Sequence, residues 1–198
     1  MQIDYYCALT SPWSYMGHGP FCDMARRAGA DVRILPVNAL AVFDRTGGLP
    51  LPKRSPERQA YRFQELARWR KRHNLDLNLR PAHFPTDETQ AALLVVAARE
   101  AGLDALDLAG RFMRAVWAEE RNISDADTIA TIVGEAGLDL SQLTAHRENV
   151  DAAALRDQAG EAAVQAGVFG VPTYHFGDEM FWGQDRLSFV EEKLAGGR

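Results

Sequence analysis

The chain has 198 residues, 46% of them hydrophobic and 25% charged, with a net charge of −5. That length buries one substantial core, as a single domain or a domain carrying an insertion, and the absence of a clustered basic excess argues against nucleic acid as a partner. No apolar run nears the ~20 residues that span a bilayer, and Met1-Gln2-Ile3-Asp4 lacks the basic and apolar regions of a secretory signal; a cytoplasmic location with no membrane partner is expected. Residues 2–9 read as a buried strand through Ile3, Tyr5, Tyr6, Cys7, Ala8 and Leu9. Ser11-Pro12 is an N-cap with proline at the first helical position, which predicts a helix from Pro12 to Ala28, ended by Gly29. Asp31–Val37 is a second strand. Gly47, Gly48, Pro50, Pro52 and Pro56 mark residues 44–56 as a loop and a crossover.

From Pro56 to Gly167 every segment has helical length and period. The expected helices are Ala60–Asn74, basic and amphipathic; Thr86–Ala101, capped at Thr86; Asp104–Glu119; Asp125–Ala136, capped by Ser124; Ser141–Glu148; and Asp151–Ala166. Strand character returns in Thr173–Phe176 and Glu179–Trp182, joined by the turn Gly177-Asp178, before a last helix, Arg186–Leu194. Without the helical block the order is β-α-β-α-β-β-α. The predicted fold is therefore α/β, thioredoxin-like, with a large all-helical insertion: residues 1–43 and 156–198 form the thioredoxin-like part and 44–155 the insertion. The two cysteines, Cys7 and Cys22, are too few for a disulfide scaffold and too far apart for a CxxC pair, and both read as buried core thiols. The five histidines and two cysteines show no metal-ligand spacing, so no metal is expected.

Three segments would meet in such a fold. The turn Thr10–Tyr15 stands where redox relatives of the fold place a nucleophilic cysteine at a helix N-terminus, whose dipole favours a thiolate. Here that residue is Ser11, which cannot exchange disulfides but can donate a hydrogen bond to another molecule's thiolate. In Gly167–Tyr174, proline directly before a strand suggests a cis Val171-Pro172 bond, which would turn the Val171 backbone toward the helix end and offer it to an extended peptide. In Phe181–Arg186, free N–H groups at a helix start suit a carboxylate, and Asp185 suits an ammonium. Each segment also has an ordinary structural role as a cap or turn; only the set is specific.

The set resembles the glutathione-dependent 2-hydroxychromene-2-carboxylate isomerases of aromatic catabolism, DsbA-like proteins related to the kappa-class glutathione transferases. The matching stretches are Ser11–Tyr15, Phe112–Glu119, Ile123–Asp125 and Gly167–Leu187. The resemblance implies glutathione as cofactor, with Ser11 as the catalytic residue near its sulfur, Val171 and Pro172 along its cysteinyl backbone, and Gln184 and Asp185 at its γ-glutamyl end. For the glycyl carboxylate the pattern departs: Gly47-Gly48 replaces a Gly-Asn, and Arg58 stands for a lysine, with Lys53 and Arg54 as neighbours that could serve.

The resemblance further implies a small aromatic or conjugated acid as substrate and a homodimer, for which Trp69, Phe112 and Trp117 offer surplus apolar surface. Trp13, Tyr15, Phe84, Phe169 and Trp182 are the aromatic residues suited to line a substrate pocket, each of them also a plausible core residue. His83 could move a proton. Three activities stay open: an isomerase that regenerates glutathione, a transferase that releases the conjugate, and a non-catalytic binding protein. A thiol–disulfide oxidoreductase is disfavoured, since positions 11 and 14 both hold serine.

Overall fold

A computed structural model describes residues 1–196 of the chain. Strand β1 (Gln2–Cys7) lies parallel to β2 (Asp31–Pro36) and antiparallel to β3 (Thr173–His175), which continues as a hairpin into β4 (Met180–Trp182), giving the order β2-β1-β3-β4. The alternation of β1 fixes which side each residue serves. Ile3, Tyr5, Cys7 and Leu9 enter one core, and Tyr6 and Ala8 enter another on the opposite face.

On the first face lies α1 (Pro12–Arg27), with Tyr15, Met16 and Phe21 inward, and α9 (Leu187–Leu194), with Leu187 and Val190 inward. The same core runs on into the helical block: α3 (Pro56–His73), α4 (Thr89–Glu100), α5 (Ala105–Trp117), α6 (Ala126–Glu135) and α7 (Leu140–Asn149) add Leu66, Val95, Phe112, Ile132 and Leu143. The second face is closed by α2 (Ala39–Thr46) through Val42 and by α8 (Ala152–Gln165) through Ala159 and Ala163. The fold class expected from the sequence is the one observed.

Several local expectations are corrected. Helix α2 and a 3-10 turn at Leu51–Lys53 occupy what reads as an irregular loop. Asn38 caps α2 by accepting from the N–H groups of Leu40 and Ala41, but only Val42 is buried, so the helix leaves little periodicity to read. Helix α4 starts at Thr89 rather than Thr86, because the Thr86 hydroxyl donates to Asn122 while Asp87 accepts from the Thr89 N–H. Asp125, not Ser124, caps α6.

Phe112 and Trp117 are fully buried on the inner stripe of α5 and offer no surface for association; Trp69 is half-buried and stacks on His73. Cys22 is half-buried rather than in the core. The 43/44 and 155/156 boundaries each fall inside a helix, α2 and α8.

Candidate active site

The N-terminus of α1 is built by its own sequence. Ser11 is extended (φ −81°, ψ 121°), its Oγ accepts from the Ser14 N–H at 3.2 Å, and its N–H donates to the Ala8 carbonyl at 3.1 Å. Pro12 has no N–H, so Trp13 contributes the free donor of this first turn. Ser14 is fully buried and its Oγ accepts from the Ala8 N–H at 3.4 Å, whereas Ser11 remains partly accessible. Among the described residues the Ser11 hydroxyl has no acceptor of its own.

Sequence reasoning missed what holds this turn from beneath. The Glu88 carboxylate accepts from the Thr10 N–H (2.7 Å) and the Thr10 hydroxyl (2.8 Å), and its other oxygen meets the Arg156 guanidinium at 3.2 Å. Burial raises the Glu88 pKa, opposed by the Thr10 hydrogen bonds and by Arg156. A glutamate at a helix start reads as a favourable first-turn charge, and no local signal separates it from an inward-facing one.

The second and third segments are joined to each other and to α1. Val171-Pro172 is cis, as expected, and the Phe84-Pro85 bond is cis as well. Among the described residues, neither the N–H nor the C=O of Val171 has a hydrogen-bond partner. The next carbonyl, that of Pro172, accepts from the Gly183 N–H at 2.9 Å.

Gly183 sits at φ +104°, and a Cβ there would strike the Asp185 carboxylate at 2.5 Å, so the turn requires glycine. Gly17 of α1 has the same constraint from another cause: a Cβ would meet the Tyr174 hydroxyl at 2.5 Å and the Gln184 Cβ at 3.0 Å. Helix α1 thus packs directly on the 3-10 turn Gln184–Arg186. The three segments meet.

Within that turn the roles divide. Gln184 is buried and its side chain is hydrogen-bonded to His73 at 3.1 Å, while Asp185 is accessible and pairs with Arg186 at 3.0 Å. No side chain caps this turn or α9. Phe169 and Trp182, exposed and edge-to-face at 4.7 Å, flank the Val171 loop. Trp13 is half-buried against the core. Tyr15 is a structural residue: it is buried, its hydroxyl donates to the Asp76 carbonyl at 2.7 Å, and burial raises its pKa. Phe84 leans on Trp117 at 4.9 Å.

Of the expected glycyl-carboxylate residues, Arg54 is spent on the Leu49 carbonyl (2.8 Å), whereas Lys53 and Arg58 are exposed. His83 is exposed. A cavity of about 620 Å³ between α1 and α5, lined by His18, Cys22, Arg26, Asp104 and Arg111, contains none of these residues. Burial there pushes the Cys22 thiol up to about 12, far from nucleophilic at neutral pH.

The three segments bring a set of accessible polar groups together. They offer an accessible serine hydroxyl at a helix N-terminus, an unpaired backbone donor and acceptor at Val171, and an accessible carboxylate at Asp185 beside uncapped N–H groups. Known proteins resemble this chain over its whole length. The model of the DSBA-like thioredoxin domain matches residues 2–195. The 2-hydroxychromene-2-carboxylate isomerase of Sphingobium xenophagum is 26% identical over 197 residues, covering 97% of both chains. That of Pseudomonas putida is also 26% identical, covering 98% of this chain and 95% of its own. Among solved structures, a 2-hydroxychromene-2-carboxylate isomerase superposes with a TM-score of 0.78 at 25% identity, over 99% of this chain and 95% of that one. A cytosolic disulfide reductase, DsbM of Pseudomonas aeruginosa, has the same fold, with a TM-score of 0.71 at 18% identity and 100% of both chains covered.

Proposed function

The chain belongs to the DSBA-like thioredoxin domain family, and on that premise we propose that it is a glutathione-dependent isomerase of a 2-hydroxychromene-2-carboxylate-like conjugated acid. The observation that carries the proposal is the meeting of Ser11, the unpaired Val171 backbone and the Gly183–Asp185 turn, with serine at both positions where a redox relative needs cysteine. The full-length isomerase relatives support the same reading.

When bound, glutathione supplies a thiolate nucleophile that can add to a conjugated carbon and leave again after the bond has rotated. The chain's own residues prepare that chemistry. Ser11 Oγ accepts from the Ser14 N–H, which leaves its own proton to donate to a bound thiolate. Together with the Trp13 N–H and the dipole of the 16-residue helix α1, it stabilises negative charge there. The Val171 N–H and C=O pair with the peptide backbone. Asp185 exchanges Arg186 for an ammonium, and the uncapped N–H groups of the last turn receive the adjoining carboxylate. Lys53 and Arg58 are the cations left for the glycyl end.

The test is calorimetric titration with glutathione, followed by turnover of a cis/trans pair of a 2-hydroxybenzylidene-type keto acid. Saturable binding, with interconversion of the isomers and no loss of free thiol, is expected. Consumption of glutathione would make the protein a transferase, and no heat at millimolar glutathione would remove the proposal.

A further inference from the structure

Helix α3 is strongly basic, and its arginines differ in fate. Arg68 pairs with Glu65, and Arg70 donates to the Leu77 carbonyl. Arg62 is 9% exposed and has neither an ion pair nor a hydrogen bond among the described residues. Its guanidinium carbon lies 5.7 Å from the ring centre of Phe63, 5.7 Å from that of Phe84 and 5.9 Å from that of Trp117. Burial, and then Arg54 nearby, pull its pKa down to about 10. Buried cations are normally paired, because aromatic faces return only part of the lost hydration. A second donor in the same cluster, the buried indole N–H of Trp117, also lacks an acceptor. The cluster, which Arg80 joins at 4.9 Å from the Phe63 ring centre, is rich in donors and aromatic rings, and among the described residues no acidic side chain pairs with Arg62.

Its place in the fold links it to the site. Arg62, Leu66, Trp69 and His73 form one stripe of α3, and His73 at its far end reaches Gln184 in the third segment. Phe84 begins the short run to Glu88, which grips Thr10 beside Ser11. We propose that Arg62 is the specificity-determining anchor for the carboxylate of a planar aromatic or conjugated acid, held in the recess of Phe63, Phe84 and Trp117. The chemistry matches: a guanidinium surrounded by aromatic rings that accept none of its N–H groups in plane keeps those donors for a bidentate carboxylate. The assignment names the substrate-binding half of the site and rests on the proposed function for its link to the bound thiol.

The experiment uses trans-cinnamate and its neutral isostere cinnamamide as probes, titrated without glutathione into the full chain and followed by tryptophan fluorescence. Wild type is expected to prefer the carboxylate by at least about tenfold, the yield of one charge-assisted contact. Arg62→Met should abolish the preference, leave glutathione affinity unchanged, and melt no lower than wild type without ligand. Arg62→Gln carries the same test should Arg62→Met fail to fold. A wild type without preference, or a preference that survives loss of Arg62, overturns the assignment. Glutathione titration separates the two claims: if wild type ignores glutathione yet its carboxylate preference depends on Arg62, the thiol reading falls and the anchor stands.

Discussion

Two largely buried arginines sit in two regions of this molecule, in opposite electrostatic circumstances. Beneath the Ser11 turn, the Arg156 side chain is 10% exposed and meets Glu88, whose carboxylate also holds both donors of Thr10. On α3, Arg62 is 9% exposed, lies among three aromatic rings with Arg54 nearby, and has no acidic partner among the described residues. The first region pairs its buried charges with each other, although the Arg156 Nε has no partner among the described residues, and it fixes the turn that presents Ser11. The second leaves a charge uncompensated, which the fold tolerates where a ligand supplies the missing partner.

The largest expected effect comes from breaking the completed pair. Glu88→Ala strands a buried guanidinium and orphans the Thr10 N–H, a loss of roughly 3–5 kcal/mol, or about 10 °C in melting temperature at this size. In the same calorimetric scan Arg62→Met should lose nothing. Equal losses from the two substitutions would erase the contrast between the regions.

A smaller effect is expected at an accessible charge. Among the described residues Asp185 pairs with neighbouring Arg186 alone, and both are solvent-accessible, so Asp185→Asn should leave unliganded stability nearly unchanged. It should weaken glutathione binding by about tenfold, or about 1.4 kcal/mol, with saturated turnover little altered. Wild-type affinity in isothermal titration would make Asp185 a turn residue only.

The smallest effect adds a titratable third member. His18 is buried, shares hydrogen bonds with the Tyr5 hydroxyl (3.3 Å) and the Leu106 carbonyl (3.0 Å), and faces Cys22, Asp104 and Asp107. Burial lowers its pKa from the usual 6.5. The unfolded chain therefore takes up a proton near pH 6.5 that the folded chain resists. The stabilisation is complete above that pH and lost as pH falls through the folded value. Melting temperature should fall between pH 7 and pH 5, and less so in His18→Gln. An identical slope in the variant would assign the pH response to other groups.

What was legible in the sequence was local. The Ser11-Pro12 cap, the proline before β3 and the glycine turn at Gly183 each announce a backbone geometry within a few residues, and the alternation of strand and helix periods gave the order of elements. What was illegible was tertiary. Glu88 and Arg156 are 68 residues apart and meet only because α4 and α8 flank the same strand. Helix α3 carries arginines at positions 58, 62, 68, 70 and 72, and nothing in their spacing tells which turns inward. Gln184 lies in the turn that opens at Gly183, yet burial commits its side chain to His73. Trp117 is buried, but a tryptophan at a helix end looks the same in sequence whether it meets solvent or core.

The central claim is that Ser11, on the framework set by Glu88 and Thr10, stabilises a bound thiolate. The direct measurement is a pH titration of the ultraviolet thiolate absorbance of glutathione at saturating protein, in wild type and in Ser11→Ala. The wild type is predicted to bind glutathione saturably and to ionise its thiol well below the value for free glutathione, and Ser11→Ala to bind it with the thiol pKa moved back upward. A bound thiol that ionises at the same pH in both proteins would contradict the account and leave Ser11 as a helix cap.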